Sequence, residues 1–169
     1  MDYSIKAAYD WIKGTQQSVS WAPWMLNRVL LRKHQLFIWL LAHGRLLTQD
    51  HLLKFGIELT NTCYLCGDKE ETIDHLFFEC EYNMRCKKQI EDWLAIKIPD
   101  SNPIQWWLQL RRASLSEKQC VGAVVAGLGY CIWLKRNQGR LNHCVKRPEL
   151  ICRFLKTMLL SRLHVYILN

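Results

Sequence analysis

The sequence has no Asp-Asp pair and none of the common catalytic motifs. A polymerase needs paired carboxylates to hold two metal ions, and no such pair is present. The G-x-S-x-G, H-E-x-x-H and P-loop patterns are also absent, and the histidines are scattered without a nucleophile beside them. We therefore expect a protein that is not an enzyme.

Long apolar runs are also missing. The longest stretch without a charge, residues 120–134, has fifteen residues, which is short for a membrane span and contains three glycines. The first residues lack the basic start and the apolar run of a signal peptide. We expect an intracellular protein, in the nucleus or cytoplasm, without a membrane partner. In that setting the eight cysteines indicate thiols and a metal rather than disulfides.

Acidic residues are scarce in the last third of the chain. Residues 111–169 hold 11 Lys and Arg against 2 Asp and Glu, whereas residues 1–110 hold 12 against 13. The net charge of +8 therefore comes entirely from the C-terminal part. Such asymmetry favours a nucleic-acid or acidic partner. A solvated basic helix face, or a surface that docks on an acidic region of a larger protein, would give the same pattern.

Four potential metal ligands follow one another at the spacing C-x2-C-x8-H-x4-C: Cys63, Cys66, His75 and Cys80. Two thiolates two residues apart can bind one ion from a tight turn, and an imidazole with a third thiolate completes the set. Zinc takes such ligands, at about 2.3 Å from sulfur and about 2.0 Å from nitrogen. Because four protein ligands leave no position for water or substrate, the spacing predicts a structural zinc site.

Other cysteines and acids near this motif have simpler interpretations. Cys86 is the chief alternative to Cys80, but only Cys80 fits the H-x4-C spacing, and His143-Cys144 lacks a C-x2-C partner. The cysteines in apolar or helical stretches are expected in the core: Cys120, Cys131, Cys144 and Cys152. The acids beside the cysteine turn are expected to be solvated: Asp68, Glu70, Glu71 and Asp74.

Apolar spacing predicts a mostly α-helical fold of six or seven helices. We expect a single domain over residues 1–169, with a zinc core at about 57–82 and a basic helical part at 111–169. A proline-containing linker is expected at residues 99–103. The expected helices are residues 4–13, a long helix from Trp24 through Leu41, a short helix between Thr48 and Gly56, a helix through His75, and residues 82–96, 117–138 and 148–163.

The zinc motif carries a resemblance to a known family. Cys63-Tyr64-Leu65-Cys66-Gly67, followed by residues 71–80 (ETIDHLFFEC), resembles the zinc-binding domain downstream of the reverse transcriptase in plant LINE-type (non-LTR) retrotransposons. That family reads roughly C-x-x-C-G and then E-T-x-x-H-L-F-x-x-C. Residues 3–9, 37–53 and 132–137 resemble its start, its helical lead-in and its W-x-x-R-N element. The chain departs from the pattern at Leu31, where proline is usual, and at Leu141, where phenylalanine is usual.

The resemblance implies a non-catalytic zinc-binding module that assists a reverse transcriptase by binding RNA or DNA with weak sequence preference. Possible partners are a reverse transcriptase domain or another protein. The competing hypothesis is a protein-interaction scaffold, whose mark would be exposed tryptophans. Trp133 could stack on a base, but it continues an apolar run and is expected in the core. The basic candidates for nucleic-acid contact are Lys135, Arg136, Arg140, Lys146 and Arg147.

Overall fold

The computed structural model describes residues 22–25, 29–57, 60–98, 114–142 and 147–168. The regular structure of these residues is helical, apart from one isolated antiparallel bridge between Thr62 and Glu70. The mostly α-helical prediction is confirmed. The predicted helix at residues 4–13 and the linker at 99–103 lie outside the described residues. The elements are α1 (Ala22–Met25), α2 (Arg32–Ala42), α3 (Gln49–Lys54), a π-helical turn (His75–Glu79), α4 (Glu81–Leu94), α5 (Leu115–Asn142) and α6 (Pro148–Leu168).

The predicted long helix from Trp24 through Leu41 is wrong. Leu31 is extended, with ψ at 147°, and α2 begins only at Arg32. Val29 and Leu30 are buried in the connection, so their packing stabilises a turn where apolar spacing alone indicated a continuous helix. The expectation that α2 is buried on all sides is also wrong, because the Leu36 side chain is 58% exposed. Arg32 is exposed, as expected for a solvated face.

The long helix α5 is the centre of the packing. It contacts α2, α4 and α6, and the indole nitrogen of Trp24 in α1 donates to the Gly122 carbonyl at 3.0 Å. Gly129 permits the close approach of α2, since a Cβ there would lie 2.8 Å from the ring of Phe37. The helices predicted at 117–138 and 148–163 are confirmed as α5 and α6, and each extends further at its C-terminal end.

The cysteine-rich segment and the C-terminal helices share one hydrophobic core. Cys63, Leu76 and Cys80 belong to the same buried cluster as Ile132 in α5 and Leu155 in α6. The rings of Phe37 and Phe77 meet edge to face, with centroids 5.6 Å apart. No helix in the described ranges is both long enough and apolar enough to cross a bilayer.

Candidate metal centre

The structure brings the four predicted ligands together. One potential ligand atom from each of Cys63, Cys66, His75 and Cys80 lies within 4.8 Å of every other. The Cys63 and Cys80 sulfurs are 4.0 Å apart, and the Cys66 sulfur is 3.4 Å from Nε2 of His75. Three of the four side chains are buried, and Cys66 is partly exposed. The set thus has a closed inner side and one side facing solvent.

These separations fit a tetrahedral zinc ion. Zinc at about 2.3 Å from sulfur and about 2.0 Å from nitrogen places two sulfurs about 3.8 Å apart, and sulfur and nitrogen about 3.5 Å apart. The observed 4.0 and 3.4 Å lie close to those values. The donor set, three sulfurs and one imidazole nitrogen, is one that zinc prefers in structural sites. Bound there, the metal would join the cysteine turn to the histidine segment.

A short hairpin holds the first two cysteines. The Cys63 amide donates to the Lys69 carbonyl at 2.8 Å, and the Gly67 amide returns to the Cys63 carbonyl, also at 2.8 Å. Gly67 has φ at +72°, a conformation that side-chain-bearing residues rarely adopt, so glycine suits the closing of this turn. Residues 67–69 are exposed, as predicted for a solvent-facing turn.

The π-helical turn brings the other two ligands to one side. Residues five apart in an α-helix lie roughly 140° apart around the axis, too far to bind the same ion easily. Here the Cys80 amide donates to the His75 carbonyl at 2.7 Å, the i to i+5 bond of a π-helix. Thr72 begins the segment as predicted, since its hydroxyl accepts from the His75 amide at 3.0 Å. The sequence predicted a helix here but not its wider winding.

Ionisation at the site favours metal binding at neutral pH. Burial lowers the pKa of His75, so its imidazole is neutral and can donate a lone pair to a metal. The hydrogen bond to Cys80, followed by burial, raises the pKa of the Cys63 thiol, and the same hydrogen bond lowers the pKa of Cys80. Without a cation the two sulfurs therefore share a proton. A bound zinc ion would displace it and leave both as thiolates.

Comparison with known families agrees with this geometry. Residues 3–86 match the family described as zinc-binding in reverse transcriptase. The matched segment contains all four ligands and covers about half of the chain. The predicted zinc cofactor is confirmed, since the family binds zinc and the ligands lie within coordinating distance of one another. Comparisons with curated proteins and with solved structures find no match.

Cys86 lies inside the matched segment but apart from the zinc-binding group. It is fully buried on α4, and its carbonyl accepts from the Cys152 thiol of α6 at 3.5 Å. Cys131 is also buried, as expected, whereas Cys120 is partly exposed and Cys144 lies outside the described residues. These positions support the selection of Cys80 over Cys86 as the fourth ligand.

We expect Cys86→Ser to leave one zinc per chain. The hydroxyl would occupy the α4–α6 contact, where it changes packing but no metal ligand. The measurement is metal content after gel filtration of the purified variant and its parent. Loss of zinc from the variant, with its helical content preserved, would show that Cys86 is a ligand.

The prediction for Arg136 needs correction. Its side chain is 1% exposed, and its Nη2 lies 2.6 Å from Oε1 of Glu71, which is itself fully buried. A guanidinium held in this way cannot reach a phosphate. Trp133 packs against the core, as expected, and the Arg136 guanidinium lies 5.1 Å from its ring centre.

The other predicted basic residues remain at or near the surface where they are described. Arg147 is exposed, and Lys135 and Arg140 are half-buried. The Lys135 ammonium donates to the Gln138 side chain at 2.7 Å. Lys146 lies outside the described residues. These residues stay candidates for nucleic-acid contact.

Glu71 is the functional residue that the sequence analysis misjudged. It was expected to be solvated with its acidic neighbours, and the prediction is wrong because the side chain is fully buried. The signal was present in the resemblance, where glutamate precedes threonine in the E-T-x-x-H element and arginine occupies the W-x-x-R-N element. The structure pairs these two motif residues across 65 positions of the chain.

Proposed function

We propose that this chain is the non-catalytic zinc-binding module of a reverse transcriptase and that it binds RNA or DNA through the phosphate backbone. The zinc ion has four protein ligands and would act as a structural clamp, with no position for a substrate. The matched family is described by zinc binding in reverse transcriptase rather than by a reaction. The module would hold nucleic acid close to a polymerase that supplies the chemistry.

The observation that carries the nucleic-acid proposal is the segregation of charge. Residues 111–169 have a net charge of +9, and most of them form the described helices α5 and α6. Neutralising phosphates with lysine and arginine releases counterions, which supplies sequence-independent affinity. No motif for reading base edges is visible, so backbone contact is the mode that the composition favours.

A basic and aromatic surface between α2 and α5 also supports the proposal. The Lys33 ammonium lies 5.1 Å from the centre of the Tyr130 ring. Burial raises the pKa of Cys131 to about 11, while Lys33 and Lys135 act on it in the opposite direction, so both lysines approach one place from different helices. Lysines beside a partly exposed aromatic ring are typical of surfaces that bind single strands.

The finer assignment is also part of the proposal. The residues that resemble plant LINE-type elements extend past the matched segment to the W-x-x-R-N element in α5. A module working with such a reverse transcriptase would meet its nucleic acid in the nucleus or cytoplasm. The experiment that tests the proposal is titration of the purified protein with single-stranded RNA and with duplex DNA at several salt concentrations.

We expect Lys135→Ala/Arg140→Ala/Arg147→Ala to flatten the salt dependence of binding. Each phosphate contact contributes about 0.9 to the slope of log affinity against log salt on duplex DNA, and about 0.7 on single strands. If all three residues touch phosphates, the slope falls by nearly three units on duplex and about two on single strands. Arg136 is omitted because its buried ion pair would confound the result.

The matched control replaces three exposed lysines of the N-terminal part: Lys54, Lys88 and Lys97. The control triple removes the same charge from a region whose residues balance to about neutral, so its salt slope should stay near that of the parent. Equal slopes for both triple variants would remove α5 and α6 from the interface. A parent that binds neither ligand at low salt would refute the nucleic-acid proposal.

A specific observation favours protein contact as the second candidate function. Four large apolar side chains on and around α3 are exposed by 43% to 68%: Leu47, Leu53, Phe55 and Ile57. The tryptophans expected to mark a scaffold are not among the exposed residues in the described ranges. A parent that fails to bind nucleic acid would leave this α3 surface as the site for a protein partner.

A further inference from the structure

The carboxylate of Glu71 connects three separate parts of the chain. Its Oε1 accepts the Gln49 amide at the start of α3, at 2.9 Å. The same oxygen accepts from Nε of Arg136 in α5 at 2.8 Å. Both charged side chains are buried, so neither can exchange its partner for water.

The backbone of Glu71 belongs to the zinc hairpin. Its amide donates to the Asn61 carbonyl at 2.8 Å, next to the bridge between Thr62 and Glu70. On one side of Glu71 the chain pairs back to Cys63. On the other side Thr72 caps the segment that carries His75. Glu71 therefore lies where the cysteine half of the ligand set meets the histidine half.

The Arg136 guanidinium is itself held in place. Its Nη1 donates to the Asn137 side chain at 2.9 Å, and its plane lies near the Trp133 ring. The planar guanidinium offers several fixed donors, whereas a lysine ammonium offers a point charge. The ion pair thus links a rigid position on α5 to the middle of the zinc hairpin.

We propose that Glu71 and Arg136 are positioning residues for zinc, fixing the hairpin so that the cysteines and His75 meet one ion. The proposal goes beyond nucleic-acid binding and rests only on the zinc site. It assigns part of the metal-binding apparatus to α5, outside the segment that matches the family, which ends at residue 86. Zinc affinity then depends on a helix that contributes no ligand.

The test measures zinc affinity of the full chain by competition with a chromophoric chelator. The variants are Arg136→Met, Arg136→Lys and the double variant Glu71→Gln/Arg136→Met, with exposed Arg153→Met as the control for one lost charge. Partners that orient metal ligands typically change metal affinity by about 10–100-fold. We expect a loss in that range for Arg136→Met and the double variant, a smaller loss for Arg136→Lys, and none for Arg153→Met.

The double variant separates positioning from simple stabilisation. Removing one partner leaves a buried unpaired charge, whereas uncharging both partners commonly restores stability. If the pair positions the hairpin, the double variant has the parent's circular dichroism but still binds zinc more weakly. Parental zinc affinity in the double variant overturns the proposal. Failure of the double variant to fold with excess zinc also overturns it, because the pair would then serve the whole fold.

Discussion

Cys63→Ser and His75→Ala should each abolish tight zinc binding and unfold at least residues 57–82. Structural zinc contributes on the order of 10–16 kcal/mol to the folding of small zinc-finger peptides. The hairpin has little else to hold it, since in the described residues its β-pairing is a single bridge. Metal analysis and amide hydrogen exchange of the purified variants would measure both effects.

The extent of unfolding distinguishes two kinds of coupling between zinc and the core. Cys63 and Cys80 are buried in the same cluster as residues of α5 and α6, so loss of zinc should also lower the protection of those helices. Chelator added to the parent should reproduce the pattern. A parent that keeps full hairpin protection in excess chelator would contradict a structural role for the metal.

The zinc ligands were predictable because their information is local. Four side chains within eighteen residues define the site, and thiolate pairs at this spacing have few other uses. The turn at Gly67 and the cap at Thr72 are also local, and the structure confirms both. The π winding at residues 75–79 was not predictable, since it is selected by the need to place His75 and Cys80 on one side.

The misjudged residues depend on distant partners. Glu71 reads as one of several surface acids until α5 brings Arg136 to it, and Arg136 reads as one of several surface bases. Local composition cannot distinguish a solvated charge from one that is paired across 65 residues. The break before α2 has a similar origin, because Val29 and Leu30 are held by a core assembled from the rest of the chain.

The basic C-terminal part therefore has two roles in one pair of helices. Its buried side supports the zinc hairpin through Arg136 and packs against α2 and α4. Its accessible bases, including Arg147 and Arg153, supply the charge that a phosphate backbone would meet. Substitutions in α5 can thus affect nucleic-acid affinity indirectly, so binding assays on this helix need a parallel measurement of zinc content.

Arg136→Met should lower the free energy of unfolding by about 3–5 kcal/mol, the usual cost of leaving one charge of a buried pair without its partner. Most of that loss should return when Glu71→Gln is added, because the second change removes the buried carboxylate charge. Urea denaturation with zinc in excess would measure both values. The excess keeps the metal site saturated, so the comparison reports the ion pair rather than metal loss.

The matched control for this prediction is the exposed ion pair between Arg85 and Glu81 on α4, whose side chains are 65% and 71% exposed. Solvent already screens both charges, so Arg85→Met should leave the denaturation midpoint close to that of the parent. The contrast between two arginine-to-methionine changes isolates burial as the variable. A loss for Arg136→Met no larger than that for Arg85→Met would mean that water reaches the Glu71 carboxylate, and that α5 does not hold the zinc hairpin through this contact.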